Sequence, residues 1–370
     1  MMSEKKIARP RIAHLTSVHS RYDARIFWKQ CKSLVAIGYD VTLIVADGLA
    51  SERRHGVEIE GVEKSSGRFG RMWHSTRSVR ERALSLDADL YHLHDPELLT
   101  IARQLKRAGK KVVFDAHEDL AKQILLKKYL PLPLRRLVSA AYHHYEQRTV
   151  RVIDGVVTAT EGQVAGFKKV ARNIEVVENF SICSIFPERD LDFSTVRILH
   201  AGALTATRGL QNMTRLAHEL RKGDQLVLAG PLEAGTDPAL LSPATYLGVV
   251  PHEDLAREYA KANLGLILYN PVGQYGMATA VKLYEYMAAG LPVIVPDHGE
   301  WPFLIHRLKC GLAVDVSDTS AQVQAIDWVR SNPEEAMQMG RNGRQFALQN
   351  ASWESAFNKL QLFYTDMLNG

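Results

Sequence analysis

The feature that most constrains the fold is an alternation of short apolar runs with amphipathic segments along nearly the whole chain. Early runs are RIAHLTSV (11–18), DVTLIVA (40–46) and KKVVFDAH (110–117), and Gly38 and Gly109 each close a helix-like segment between runs. Apolar runs this short, separated by helices, are typical of strands in parallel sheets that are covered on both faces.

The alternation is interrupted once, at residues 179–195, and then resumes. The other strand candidates are ADLYHLH (88–94), DGVVTAT (154–160), VRILHAG (196–202), DQLVLAG (224–230), ATYLGVV (244–250), NLGLILY (263–269) and PVIVP (292–296). We predict an α/β protein with two doubly wound, Rossmann-like parallel-sheet domains, residues 1–180 and 181–350. A final helix at 351–370 is predicted to pack back toward the first domain. Open parallel sheets bind ligands at the carboxyl ends of their strands, so the expected site is the cleft that the domains face.

Composition indicates a globular chain in a reducing compartment. Of the 370 residues, 46% are hydrophobic and 24% are charged, which are ordinary values for a chain able to bury cores. The three cysteines are far apart and have no metal-site spacing. The start MMSEKKIARPRIAHLTSV has no apolar signal core, and no run approaches the length of a membrane span. We expect a cytoplasmic protein, peripheral to the membrane at most, without a nucleic-acid partner.

Positive charge is concentrated in the first half of the chain. Residues 1–180 carry 31 Lys and Arg against 21 Asp and Glu, whereas the remainder carries 15 against 20. This asymmetry indicates that the first half meets phosphates or a membrane surface, unless it is an accident of a solvated surface. Residues 122–148 interleave six basic residues with Leu, Tyr and Val, which suits an anionic membrane surface. An ordinary solvated helix pair over a core is the alternative.

The stretch GMATAVKLYEYMAAGLPVIVP (276–296) combines a glycine loop, a helix predicted to start near Ala278, and a buried strand. A helix start exposes unpaired N–H groups and is a ready site for an anion such as phosphate. Lys282 and Glu285 share one face of this helix, which we expect to face the cleft, and we assign both to the donor site. A carboxylate one turn from a bound phosphate would suit the two hydroxyls of an attached ribose. The alternative is a surface Glu–Lys pair at helical spacing.

Polar side chains also follow strand candidates in the first half. FDAHEDL places His117 and Glu118 at the end of one strand, and YHLHDPELL places His94 and Asp95 at the end of another. Because the carboxyl ends of parallel strands meet at one edge, these groups are expected to face the same cleft, with His94, Asp95 and Glu118 on the acceptor side.

The loop after the first strand, TSVHSRYDARIF (16–27), supplies His19, Arg21 and Arg25. It has no Gly-x-Gly-x-x-Gly pattern, so a dinucleotide enzyme is not indicated. We expect His19 on the acceptor side, with acceptor or phosphate contact from Arg21 or Arg25.

A metal site is an alternative interpretation of these groups. The candidate ligands are His92, His94, Asp95, His117 and Asp119. A metal site needs convergent ligands and supporting hydrogen bonds, which a sequence does not reveal.

The segment KLYEYMAAGLPVI resembles the signature of family-four glycosyltransferases, retaining enzymes of the GT-B fold. Glu285 matches the second of that family's two glutamates, which implies a hydrogen bond to the ribose of a nucleotide sugar. Met277 stands where the first glutamate is usual. The resemblance implies that the loop contacts the donor sugar. We therefore assign Gly276, Met277, Ala278 and Thr279 to the donor site.

A second stretch, ILHAGALTATRGLQNM (198–213), resembles the first strand and loop of the same family's donor domain. Arg208 with the next glycine matches a Lys-Gly pair, which implies that Arg208 neutralises the donor diphosphate. Gly202 matches the glycine of a Gly-Arg pair, but Ala203 replaces its arginine. The resemblance also places Val249 against the nucleobase, and His117 matches a histidine that contacts the transferred sugar.

The resemblance implies a retaining, metal-independent hexosyltransferase. It would move a sugar from a UDP- or GDP-sugar to a glycan or lipid-linked acceptor in the assembly of cell-surface polysaccharide. His117, Arg208 and Glu285 are the candidate catalytic residues, and no bound cofactor is expected. Two alternatives stay open: a non-catalytic relative that binds nucleotide sugar or glycan, and a metal-dependent hydrolase built on the histidines.

Overall fold

A computed structural model of the chain describes residues 9–64, 74–117, 120–126, 131–272 and 281–369. The chain divides into two compact units. Unit 1 comprises Met1–Asn179 and Ala356–Gly370, and unit 2 comprises Phe180–Ser355. Each unit contains one largely or wholly parallel sheet, which confirms the predicted α/β class of two parallel-sheet units. The predicted limits of independently folding domains, near residues 180 and 350, stay predictions.

Unit 1 is organised by an eight-stranded sheet with the order β3-β4-β2-β1-β5-β6-β7-β8. The strands are β1 (Arg11–Thr16), β2 (Asp40–Val45), β3 (Glu52–Arg54), β4 (Val57–Gly61), β5 (Leu90–Leu93), β6 (Lys111–Ala116), β7 (Gly155–Thr158) and β8 (Ile174–Val176). Only the short edge strand β3 pairs antiparallel among the strands described. The parallel pairing of β1, β5, β6 and β7 brings their carboxyl ends to one edge.

The helices of unit 1 cover this sheet. They are a π-helical segment (Ala24–Cys31) that continues into α1 (Lys32–Ala36), then α2 (Thr76–Leu86), α3 (Leu99–Arg107), α4 (Leu120–Leu126), α5 (Leu132–Val150) and α6 (Glu161–Phe167). Asp23 starts the π-helical segment, because its carboxylate accepts hydrogen bonds from the backbone N–H groups of Arg25 and Ile26. The core is formed by apolar residues of the inner strands and of α2 and α3.

Unit 2 contains a six-stranded parallel sheet with the order β11-β10-β9-β12-β13-β14. The strands are β9 (Arg197–Ala201), β10 (Gln225–Ala229), β11 (Thr245–Tyr246), β12 (Leu264–Leu266), β13 (Val293–Pro296) and β14 (Gly311–Val314). The helices are α7 (Leu210–Glu219), α8 (His252–Lys261), α9 (Val281–Ala288), α10 (Trp301–Leu308), α11 (Thr319–Ser331) and α12 (Pro333–Asn350). Among the described residues, no helix combines the length and the apolar composition needed to cross a bilayer.

The last helix, α13 (Trp353–Asn369), belongs to unit 1 from Ala356 onward. It packs closely on β7 at Gly155. A Cβ atom at that glycine would lie 2.3 Å from the Met367 methyl carbon and 2.6 Å from the Phe363 ring. The absence of a side chain at Gly155 therefore lets the helix approach the sheet.

Each of the ten sequence segments predicted as strands contains a strand in the structure. Four further strands among the described residues were not predicted. The unpredicted strands are β3, β4, β8 and β14. They are short and lie toward the edges of the sheets, where partial exposure removes the continuous apolar pattern.

Gly209 provides a test of how tightly unit 2 packs. Its φ is +78°, and an added Cβ would lie 1.8 Å from the Leu268 carbonyl oxygen. We expect Gly209→Ala to lower the free energy of unfolding by more than about 2 kcal/mol, the upper cost of a left-handed backbone alone, because a backbone clash adds to it. Gly38→Ala is the matched control, since Gly38 has φ +99° but open space around its Cβ position. Equal midpoints of chemical denaturation for the two variants would contradict this packing.

Candidate functional site

The carboxyl ends of β9 and β10 form the floor of a small cavity in unit 2. Gly202 follows β9, and Gly230 follows β10 with φ +147°. A Cβ atom at Gly230 would lie 2.0 Å from the Gly202 carbonyl oxygen, so the two strand ends meet backbone against backbone. The cavity has a volume of about 160 Å³ and is also lined by Val249, Val250 and Lys282. Three predicted donor-site residues, Gly202, Val249 and Lys282, therefore line one cavity.

Arg208 lies beside this floor. It ends a single helical turn (Ala206–Arg208) that begins at Thr205, whose hydroxyl accepts the Arg208 backbone N–H. The guanidinium group packs over the Tyr269 ring, 5.7 Å from its centroid. Its Nη1 atom lies 3.9 Å from the Cβ position of Gly202. The side chain thus brings a positive charge to the end of β9.

Glu285 is held in place by two neighbours rather than projecting into solvent. Its Oε2 atom accepts a hydrogen bond from Lys282 Nζ at 2.7 Å and another from the Tyr259 hydroxyl. Tyr259 is buried, and burial followed by the charge of Glu285 raises its pKa well above the ordinary value. The tyrosine therefore stays protonated and donates. The Glu285 side chain is 18% exposed, so ligand hydroxyls can reach it.

His200 is a residue at this edge that the sequence analysis missed. It lies on β9, is fully buried, and its Nδ1 atom lies 2.9 Å from the Leu266 carbonyl oxygen. Burial lowers the pKa of His200 to about 4, so the ring is neutral at pH 7. Because Nδ1 carries the proton, Nε2 is an acceptor, and it lies 3.6 Å from the Cβ position of Gly202. A single histidine inside the apolar run VRILHAG was the available signal.

In unit 1 the strand ends carry a buried layer of histidines. His14 on β1 is aligned with His92 on β5, and His94 lies two residues further along the same face. Nδ1 of His14 and Nε2 of His94 are 2.8 Å apart, and His92 Nδ1 hydrogen-bonds the hydroxyl of Tyr364 on α13. All three rings are buried. Burial is the main cause that lowers their pKa values, in His94 to about 3.

A buried carboxylate, Asp115 on β6, completes this layer. It accepts two hydrogen bonds from the guanidinium of Arg25, at 2.9 and 3.0 Å, and one from Gln30 Nε2 at 2.9 Å. Burial would raise the pKa of Asp115, but the Arg25 charge and bonds from His117 and His94 hold it well below its ordinary value. The layer therefore contains a charged pair beside neutral rings.

His117 and His19 lie over the buried layer. His117 Nδ1 is 3.2 Å from the Asp115 carbonyl oxygen and 3.5 Å from its carboxylate. Burial acts to lower the pKa of His117, but the hydrogen bond and charge of Asp115 outweigh it and raise the pKa above its usual value. The His19 ring is 5.3 Å from the His117 ring, and its Nε2 is 3.3 Å from Asp95. These predicted site histidines, from two different loops, are thus neighbours.

Other predicted acceptor-side residues are placed differently from expectation. Arg25 is bound to Asp115, and Arg21 is buried against Asp47, at 2.6 and 2.9 Å, and Glu52, at 2.6 Å. Neither guanidinium is directed to an acceptor in this structure, because internal carboxylates already bind both.

His94 and Asp95 also lie inside the protein rather than at its surface. The Asp95 carboxylate accepts from the Thr16 hydroxyl at 2.8 Å and the Ser17 backbone N–H at 2.6 Å, so it organises the loop after β1. His94 belongs to the buried layer, and both side chains position neighbours rather than face an acceptor.

Two groups of side chains in unit 1 bear on the hypothesis of a metal site. One ligand atom from each of His14, His92 and His94 lies within 4.8 Å of the others, as do those of His94, Asp115 and His117. However, in the first group His14 Nδ1 and His94 Nε2 are 2.8 Å apart and hydrogen-bond each other, so neither atom is available to an ion in this structure. In the second group the Asp115 carboxylate already accepts hydrogen bonds from Arg25 and Gln30. A catalytic metal also needs an open coordination position, which the three buried rings of the first group do not offer. That no metal is required stays an expectation.

Five predicted site residues cannot be placed. Gly276, Met277, Ala278, Thr279 and Glu118 lie outside the described residues, as does Asp119, one of the candidate metal ligands. Their roles in the donor loop and on the acceptor side stay predictions.

The buried histidine layer predicts a dependence of stability on pH. Because the folded pKa values of His14, His92 and His94 are lowered, the unfolded chain binds more protons below about pH 6.5, and stability falls with pH. We expect a loss of roughly 1 kcal/mol per histidine between pH 6.5 and 5.5. His117 acts in the opposite sense, because a raised pKa contributes stability that is lost as pH rises.

Calorimetric midpoints of the wild type should therefore fall over this range, and His92→Gln should show a shallower fall. The control is His143→Gln, which removes an exposed histidine from α5 and should keep the wild-type slope. Parallel slopes for all three proteins would contradict neutral, buried imidazoles.

Comparison with known proteins covers both units. Residues 24–179 match the family profile described as a glycosyl transferase 4-like domain, and residues 208–361 match one described as glycosyl transferase-like. A curated relative is the D-rhamnosyltransferase WbpZ of Pseudomonas aeruginosa, 26% identical over 278 residues, which cover 70% of this chain and 69% of that protein.

Solved structures agree on the fold. Sucrose-phosphate synthase from Thermosynechococcus elongatus superposes with a TM-score of 0.69 at 17% identity, covering 98% of this chain and all of the other. The Anabaena protein HepE in complex with UDP-glucose superposes with a TM-score of 0.66 at 14% identity, covering 96% and 99%. The two profile matches together span more than four fifths of the sequence. The chain belongs to the family-four glycosyltransferases of the GT-B fold.

Proposed function

We propose that this glycosyltransferase uses a nucleotide-diphosphate sugar and transfers with retention to a glycan on a lipid carrier. The observation that carries the proposal is the meeting of Gly202, Val249 and Lys282 in one cavity, with Arg208 beside Gly202 and Glu285 bonded to Lys282. The cavity and the two residues beside it together offer cations for a diphosphate, an apolar wall for a base and a carboxylate for a ribose.

In this proposal the main chemical task is to stabilise the charge that builds on the departing nucleotide diphosphate. Arg208 and Lys282 supply that stabilisation, since positive groups aimed at developing negative charge lower the barrier. Glu285 binds the ribose hydroxyls. We retain the inference from family resemblance that His117 contacts the transferred sugar.

Relatives support the choice of donor class. HepE has been solved with UDP and with UDP-glucose, and a trehalose-6-phosphate protein from E. coli with UDP-2-fluoro glucose. The name of WbpZ refers to rhamnose and is consistent with a role in polysaccharide assembly. We propose a UDP- or GDP-sugar donor, a hexose as the transferred sugar, and no requirement for a divalent metal.

We also propose that the enzyme works at the cytoplasmic face of a membrane and contacts anionic lipid through residues 122–148. Near the start of α5, Leu132, Leu134 and Leu137 are exposed, the last by 67%. Arg135 and Arg136 lie between them in sequence. Exposed leucines interleaved with arginines suit the boundary between headgroups and acyl chains.

The donor proposal is tested by comparing UDP with uridine in two variants. We expect Arg208→Gln to weaken UDP binding about tenfold or more while leaving uridine binding unchanged, because only UDP carries the diphosphate. Glu285→Gln should weaken both ligands, because both carry the ribose. Dissociation constants from titration calorimetry give the readout, with GDP and guanosine as the second pair.

Glu334→Gln, an exposed carboxylate change in the same unit, is the matched control. Wild-type UDP affinity in both site variants would remove this cavity from the donor site. An assay of sugar transfer to an acceptor, or of donor hydrolysis, then distinguishes an enzyme from a non-catalytic relative that only binds the nucleotide sugar.

The membrane proposal predicts that Arg135→Gln/Arg136→Gln weakens binding to phosphatidylserine-containing liposomes about thirtyfold, at about 1 kcal/mol per removed cation. The matched control is Lys168→Gln/Lys169→Gln, which removes two exposed adjacent cations at the end of α6. Sedimentation measures the bound fraction. Equal binding by the two double variants would refute a specific role for the start of α5.

A further inference from the structure

Unit 1 contains a groove that the donor chemistry does not use. It has a volume of about 460 Å³, within the range of small-molecule sites, and lies among α2, α3, α5 and the start of α4. Its apolar surface comes from Pro96, Ile101, Leu120, Tyr142 and Tyr145. Arg77 and Arg80 on α2 also line it, and the Arg77 side chain is 69% exposed. The groove is thus an apolar trough with cations on one wall.

The polar groups of the groove are already bonded within the protein. The Tyr142 hydroxyl donates to Glu146 at 2.7 Å, and Glu97 accepts from the Ser17 hydroxyl at 3.1 Å. A peptide in this groove would need partners for its backbone N–H and C=O groups, and these bonded side chains are poorly placed to supply them. A hydrocarbon chain has no such requirement and matches the apolar surface.

An apolar strip connects the groove with the exposed start of α5. Leu134, Val138, Tyr142 and Tyr145 are spaced by four, four and three residues, so they share one helix face. Leu134, Val138 and Tyr145 are exposed by 42%, 38% and 38%. At 1.5 Å per residue the strip is about 16 Å long. A chain that leaves a membrane near Leu134 can follow the strip into the groove.

The other end of the groove approaches the strand ends of unit 1. Glu97 lines the groove and is bonded to Ser17 in the loop after β1. The same loop contains His19, whose ring is 5.3 Å from that of His117. A lipid-linked saccharide with its hydrocarbon chain in the groove would therefore hold the saccharide toward the two histidines.

We propose that this groove binds the hydrocarbon chain of the lipid phosphate that carries the acceptor saccharide, with the phosphate beside Arg77 and Arg80. This inference rests on the proposed transfer to a lipid-linked acceptor and assigns that acceptor a binding site. The groove then selects lipid-linked over free saccharide, because a free saccharide leaves the apolar surface exposed to water.

The test is direct binding of farnesyl phosphate, below its micelle concentration, to the full-length protein. Two variants block the groove from exposed positions, Thr100→Trp by bulk and Tyr145→Glu by charge. Each should weaken farnesyl phosphate binding at least tenfold. The matched control is Leu49→Glu, since Leu49 is 58% exposed in unit 1 and outside the groove lining. Farnesol and dodecyl phosphate test the contributions of the phosphate and of the isoprenoid chain.

The double variant Arg77→Gln/Arg80→Gln should lose the preference for farnesyl phosphate over farnesol while still binding farnesol. Unchanged binding in Thr100→Trp and Tyr145→Glu, or no binding by the wild type, overturns the groove as a lipid site. UDP affinity is measured in every variant. If the protein binds UDP and transfers to a soluble glycan but does not bind the lipid, this inference alone is wrong. If the wild type binds the lipid, the blocked variants do not, and no variant binds UDP, the groove is supported as a lipid site and the proposed donor is wrong.

Discussion

Parallel pairing is the constraint on which both candidate sites depend. In unit 1 it aligns His14 with His92 and carries β6 to the same edge, where Asp115 and His117 lie. In unit 2 it brings the ends of β9 and β10 together so closely that only glycine fits at Gly230. Neither polar cluster needs a special motif to assemble, because strands running in one direction end at one edge.

Within unit 1, the buried pair of Asp115 and Arg25 decides the charge of its surroundings. A lone buried carboxylate would be costly, and two guanidinium hydrogen bonds together with Gln30 offset that cost. The retained negative charge then favours a proton on His117, whereas burial keeps His14, His92 and His94 neutral. The same pair attaches the π-helical segment to the sheet. One interaction therefore links a local fold with the protonation of a candidate site residue.

The fold was predictable because buried parallel strands leave continuous apolar runs in the sequence. The direction in which individual side chains point was less predictable. His94 and Asp95 follow the apolar core of β5 and were expected to face a ligand, but both turn inward to distant partners, including His14 and Thr16. Such partners lie about eighty positions away, and nothing local encodes the contact. Arg21 was misjudged for the same reason, because Asp47 and Glu52 are on a neighbouring strand end and edge strand.

The cavity at the ends of β9 and β10 was easier to anticipate, because Gly202 and the glycine before Val249 mark strand ends and Lys282 and Glu285 are at helical spacing. Gly202 and Val249 were chosen from resemblance and Lys282 from its position on the helix, and the three converge on one cavity. Tyr259, which bonds Glu285, and His200, which lies beside Gly202, were missed, because a buried tyrosine or histidine in an apolar segment resembles core.

The charges at the two strand edges have a common sign. In unit 1 the Asp115 carboxylate favours a proton on His117 by raising its pKa, and in unit 2 Arg208 and Lys282 add positive charge. In unit 1 the nearby Asp115 charge is offset by Arg25, and in unit 2 Glu285 is bonded to Lys282 and Tyr259. Each edge therefore pairs its carboxylate internally, so the balance of charge at the edge favours an anionic ligand.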